Sequence, residues 1–153
     1  MSMLLLALAL AAPAGHDSGE RRPHDELTCA MTVHALDDLG QPRSAHRISA
    51  GLVPVVVFRG RVEPRDEDAP PLLFDVFNPR GQRYQVLLGV PRVLVKERQG
   101  VRYEKTSRTL EAGLAVAGSS IALTSMFGQW RVEPRIEGET RSCGRPEYFT
   151  IRP

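Results

Sequence analysis

Gly118-Ser-Ser-Ile-Ala-Leu-Thr-Ser-Met-Phe-Gly-Gln-Trp-Arg-Val-Glu-Pro-Arg-Ile136 decides how this chain is read. It reads as two strands and a turn. In the first, Ile121, Leu123 and Ser125 fall on one side, and Ala122 and Thr124 on the other. A turn at Met126-Phe127-Gly128-Gln129 follows. The second strand then sets Trp130, Val132, Pro134 and Ile136 against Arg131, Glu133 and Arg135. Period two with one apolar and one charged side marks a strand half buried in a sheet. The chain's only tryptophan, Trp130, stands on the apolar side, where a sandwich needs a large core anchor.

Working outward, other segments repeat the pattern. In Leu27–Ala35, Leu27, Cys29, Met31 and Val33 alternate with Thr28, Ala30, Thr32 and His34, which puts His34 on the polar side. Asp37-Asp38-Leu39-Gly40 then turns the chain. Leu52–Phe58 is continuously apolar and Val-rich, as a buried strand is, with Pro54 near its start. The charged, proline-containing segment 61–71 is expected to be a solvated loop, and its Arg65-Asp66-Glu67-Asp68 lacks the Gly and distal Glu of a calcium loop. Leu72–Asn78 and Gln82–Gly89 form a hairpin over Asn78-Pro79-Arg80-Gly81, with Asn, Pro and Gly where a type I turn wants them. Pro91–Arg98 and Val101–Thr109 form a second, more charged hairpin over Gln99-Gly100. Glu111–Gly118 reads as an Ala/Gly-rich connection with at most a short helix. Gly138–Gly144 is a polar loop, and Glu147–Ile151 the last strand. The repeat of Arg61-Val62-Glu63-Pro64-Arg65 at Arg131–Arg135 has no matching flanks and is read as chance.

The N-terminus reads as an address. Met3–Ala12 is an apolar run too short to span a bilayer, followed by the small-x-small pattern Ala12-Pro13-Ala14 of a signal-peptidase site. Met1-Ser2 carries no charged side chain, where such a segment begins with Lys or Arg; a true start further upstream would account for it. The expected division is a signal peptide over 1–14, a flexible leader over 15–26 and one β domain over 27–153. An exported domain with two cysteines is most simply read as holding one disulfide, Cys29–Cys143. Closing so long a loop stabilises by up to about 4–5 kcal/mol in the chain-entropy treatment. A thiol nucleophile or zinc site is the weaker reading: Cys29 has no base beside it in sequence, and the two cysteines lack ligand spacing.

The chemistry of enzymes is thin here. There is no Gly-x-Ser-x-Gly, His-Glu-x-x-His, phosphate-cradling Gly-rich loop or Cys-x-x-Cys. Two of the four histidines, His16 and His24, lie in the leader, where cleavage after Ala14 would expose a Gly-His terminus able to bind Cu(II). Nothing in the sequence adds a third ligand, and no cofactor is expected. The net charge of +2 is too small to argue for nucleic acid.

The segment Phe127-Gly128-Gln129-Trp130-Arg131-Val132 followed by Tyr148-Phe149-Thr150-Ile151, with the hairpin Phe74–Gly81 upstream, resembles the close of bacterial immunoglobulin-like or macroglobulin-like β-sandwich domains. The resemblance covers Leu72–Ile151. It implies an all-β, immunoglobulin-like sandwich of seven to nine mostly antiparallel strands, used for protein binding or as a spacer, and it carries over no catalytic residue. The separation of Cys29 and Cys143 departs from the inter-sheet disulfide of antibody domains. The resulting expectation is an exported, periplasmic or extracellular, non-enzymatic module that meets an unknown protein partner at the cell envelope. Arg131, Glu133 and Arg135, and the strand Val101–Thr109, are the candidate contact surfaces; the plainer reading, a solvated strand face, is preferred for both. A carbohydrate-binding module would instead need aromatics in an outward row. A small hydrolase would need His34 or His46 beside a carboxylate in a cleft.

Overall fold

The computed structural model describes residues 27–64 and 69–153, except for the Tyr103 side chain. The expected signal peptide and leader, with His16 and His24, lie outside the described residues, as does Arg65-Asp66-Glu67-Asp68. The strands are β1 (Thr28–Leu36), β2 (Pro42–Arg43), β3 (Ile48–Ser49), β4 (Val55–Glu63), β5 (Leu72–Phe77), β6 (Arg83–Leu88), β7 (Val90–Arg98), β8 (Val101–Ala115), β9 (Gly128–Ile136) and β10 (Glu147–Arg152); a single turn of helix, α1 (Ser120–Leu123), stands between β8 and β9. They form two five-stranded sheets, one in the order β2-β1-β4-β8-β7 and the other β3-β10-β9-β5-β6. All pairings are antiparallel except β3 with β10. The expected all-β sandwich is what the chain forms, with eight strands of six residues or more and two of only two residues.

Alternation builds the core. Met31 and Ala35 of β1, Val56, Phe58 and Val62 of β4, Phe74 and Val76 of β5, Trp130 and Val132 of β9, and Phe149 and Ile151 of β10 are all buried between the sheets. Trp130 is fully buried: its indole N–H donates to the Met126 carbonyl at 3.0 Å, its ring stacks at 6.0 Å on Phe149, and Tyr84 meets it edge-on at 5.2 Å. Tyr84 reaches it because β6 bulges opposite Val76/Phe77, leaving Tyr84 without a cross-strand partner and free to turn inward. Gly60 of β4 faces Leu72 and Phe74 of β5 so closely that a Cβ there would lie 2.6 Å from Leu72 Cδ2. Glycine in a strand interior here lets the two layers meet.

The disulfide joins the layers. Cys29 on β1 and Cys143 in the loop after β9 are bonded, with Cα atoms 5.2 Å apart. The Cys29 N–H also donates to the Cys143 carbonyl at 2.8 Å, and the Cys143 N–H to Pro134 at 2.9 Å.

Four local readings change. Ile121–Leu123 is not strand: Ser119 caps a helical turn, its hydroxyl accepting the Ile121 N–H at 3.2 Å and donating to the Val116 carbonyl at 2.7 Å. The apolar strand begins at Val55, not Leu52, which is exposed. That strand runs on through Arg59-Gly60-Arg61-Val62-Glu63, because Phe58, Gly60 and Val62 continue the inward alternation. Glu111–Ala115 is the end of β8, paired with Val55–Arg59 at the start of β4, and no helix forms there. Its inward residues Ala112 and Leu114 are buried; with Gly113 and Ala115 as their outward neighbours after Glu111, the alternation is hard to see in the sequence.

Candidate contact surfaces

The outer face of the second sheet is built from β5 and β9. Cross-strand partners there are Leu73 with Arg135, Asp75 with Glu133, and Phe77 with Arg131. Two carboxylates therefore stand directly opposite one another, an arrangement that repels unless each finds a cation. Both do. Arg135 grips Asp75 with two bonds, Nε at 2.6 Å and a terminal nitrogen at 3.0 Å, and donates a third to the Glu139 carbonyl at 3.0 Å. Arg131 meets Glu133 at 2.9 Å and lies 4.2 Å over the Phe77 ring. Arg83 of β6 approaches Asp75 from the other side at 4.0 Å. Asp75 is 3% exposed, the one buried charged residue among those described. Its hydrogen bonds hold the Arg135 guanidinium further above its ordinary value, against a smaller pull from burial.

The three residues singled out in the sequence thus share one face, but their charges are turned on neighbours within the sheet. Asp75 was missed. The signal is in the sequence: an aspartate inside the apolar strand Leu72–Phe77 needs a cation, and Arg131 and Arg135 alternate along a neighbouring strand.

His34 lies on the outer face of the first sheet, opposite Val57 of β4. Its Nε2 is 2.9 Å from the Thr32 hydroxyl. Glu111, on the same sheet, is held by Arg59 at 2.8 Å, its directly opposed cross-strand partner. Partial burial, assisted by Arg59 and opposed by Glu111, holds the imidazole below its ordinary value of 6.5. His46 is exposed. Neither histidine lines a cavity of about 690 Å³ beside Asp38, Arg47 and Leu52, nor one of about 480 Å³ beside Arg80, Thr124 and Phe127. Among the described residues no three His, Cys, Asp or Glu side chains gather as a metal site. Tyr148 is the one large aromatic exposed among the described side chains, and Phe77 is covered by Arg131.

The second candidate surface, Val101–Thr109, belongs to a projecting ribbon. β8 pairs with β4 only from Leu110 onward. Before that, among the described residues, it pairs with β7 alone, in the register Val93 with Thr106 to Arg98 with Val101. At the foot of the ribbon, Ser107, Arg108 and Thr109 together oppose Arg92, and the Ser107 hydroxyl accepts the Thr109 N–H at 3.1 Å. Beyond that bulge Val93, Val95 and Val101 are each about half exposed or more.

No family model matches the chain, and no curated protein matches its sequence. Its fold is similar to that of an immunoglobulin-like protein from Pseudomonas aeruginosa. That likeness spans 86% of this chain and 100% of the other, at 13% identity and a TM-score of 0.44. No helix among the described residues is long and apolar enough to cross a membrane.

Proposed function

We propose that this is an exported, non-enzymatic β-sandwich module that holds a protein partner, or braces an assembly, at the cell envelope. The observation that carries this reading is the β7–β8 ribbon, a long two-stranded extension with valines on its surface and, among the described residues, no layer of its own to pack on. Monomeric domains rarely leave such strands uncovered without a use for them. The disulfide supports export, because such bonds persist in oxidising compartments. The pairing of His34 with Thr32, and of Glu111 with Arg59, supports a role without acid–base chemistry.

The test is retention of a defined partner. Mature protein with its disulfide intact is immobilised and exposed to an envelope extract, and any retained protein is purified and titrated against the soluble domain. The expected result is saturable binding that disappears when the domain is reduced and unfolded. Turnover of esters, peptides or glycosides that is lost in His34→Gln would contradict the reading.

A further inference from the structure

The ribbon also indicates what kind of partner it would take. Among the described residues β7 is the last strand of its sheet, with β8 on one side and no strand on the other. A bare strand edge of nine residues is a template about 30 Å long for one more strand. Its charge is strongly biased. Residues 92–108 carry six basic side chains, Arg92, Lys96, Arg98, Arg102, Lys105 and Arg108, against only Glu97 and Glu104. That excess of four is larger than the excess of two carried by the whole chain. The two faces of β7 differ as well: Val93, Val95 and Glu97 lie on one, and Leu94, Lys96 and Arg98 on the other.

The geometry points to the free edge of β7, over Val93–Arg98, as the docking site for an extended acidic segment of another protein, added as a further strand. This rests on the protein-binding reading above and names its surface. The segment would alternate, placing apolar side chains beside Val93 and Val95 and carboxylates beside Lys96 and Arg98. Main-chain hydrogen bonds to the edge would supply register, and the charges would steer the encounter. A second copy of this chain is the poorer occupant. Two β7 strands paired antiparallel about Leu94 would set Arg92 opposite Lys96, a like-charge contact that opposes pairing.

The probes are ten-residue fluorescent peptides titrated against the mature, oxidised protein. One alternates Glu with Val or Thr. A second has the same side chains with alternate backbone nitrogens methylated. A third has the same composition with its acids in one block. An oligothymidylate serves as the nucleic-acid control. The alternating peptide is expected to bind saturably and to slow amide exchange in Val93–Arg98. Methylation, blocking, or the double change Lys96→Glu with Arg98→Glu should each weaken it by about tenfold or more. Both changed positions are exposed, and unchanged Trp130 fluorescence shows that the variant is folded. Equal affinity for the methylated or blocked peptide or for the oligothymidylate, or no saturable binding, would overturn the proposal. So would self-association of the protein that the double variant abolishes. An envelope protein that binds the double variant as tightly as the parent would remove this surface and leave the protein-binding reading standing; if the unaltered protein bound neither the alternating peptide nor any envelope protein, both would fall.

Discussion

Asp75 and Glu133 face each other across β5 and β9, and Arg135, diagonal to Asp75, and Arg131, two residues from Glu133 on its own strand, make that tolerable. Breaking a buried pair leaves an uncompensated charge, which costs about 3–5 kcal/mol. Arg135→Ala should therefore lower the unfolding free energy by about 3 kcal/mol, measured in urea, with Arg83 offsetting a little of the loss. Replacing both partners, Asp75→Val with Arg135→Val, should recover most of it, since well-packed apolar pairs often match a buried ion pair. His34 is tested by pH. Its imidazole is held below 6.5, so between its folded and unfolded values the unfolded chain binds the extra proton. Stability from this site is therefore complete above about pH 6.5 and falls as the pH drops through the folded value. His34→Gln should flatten that part of a pH-dependent melting profile, while the remaining acid loss stays in place. Trp130, buried on Phe149 and Tyr84, should cost about 3–5 kcal/mol as Ala, read by the same urea titration.

At the scale of elements, what could be read in the sequence depended on side-chain contrast. β1, β9 and β10 alternate apolar with polar residues, β5 is an apolar run closed by the Asn78–Gly81 turn, and the reading of all four stands to within a residue or two. The end of β8 alternates too, but Ala112, Gly113, Leu114 and Ala115 differ so little that the period is masked. Gly60 hides the continuation of β4 in the same way, where the close approach of Leu72 and Phe74 excludes a side chain. α1 was illegible for another reason: four residues are too few to display a helical period, and its cap, Ser119-Ser120, is equally good turn chemistry. Within the repeat, Arg61–Glu63 ends β4 and Arg131–Arg135 lies in β9, with Val62 and Val132 buried in both. Pro134 is accepted within β9 because β10 pairs no further than Val132, and the freed Pro134 carbonyl receives the Cys143 N–H and the Ser142 hydroxyl. The same loop supplies a sharp test. Gly144 lies against Cys29 so that an added methyl would run into the Cys29 carbonyl oxygen. Gly144→Ala should displace the loop and cost about 1–3 kcal/mol in urea, whereas Gly138→Ser, in open space but at φ +86°, should cost only its backbone strain.

For the molecule as a whole, the sandwich and its staple were legible because they depend on patterns that cover the entire chain. The outer faces were not, because which charges pair with each other depends on register, and register follows from the whole set of strand pairings. The candidate face at Arg131, Glu133 and Arg135 is largely occupied by its own neighbours, while the ribbon remains the more open of the two surfaces. Holding both layers together from β1 to the loop after β9 is the task of one covalent bond, 114 residues apart in sequence. Its removal, as Cys29→Ser with Cys143→Ser, should cost up to about 4–5 kcal/mol. The most direct measurement takes folded protein made with its own N-terminus, blocks free thiols without reductant, digests it and identifies the cysteine peptides by mass. The expected result is a mature chain beginning at Gly15, recovered outside the cytoplasm, with the Cys29 peptide linked to the Cys143 peptide and no blocked thiol. Retention in the cytoplasm with both cysteines blocked in the folded protein would contradict the account.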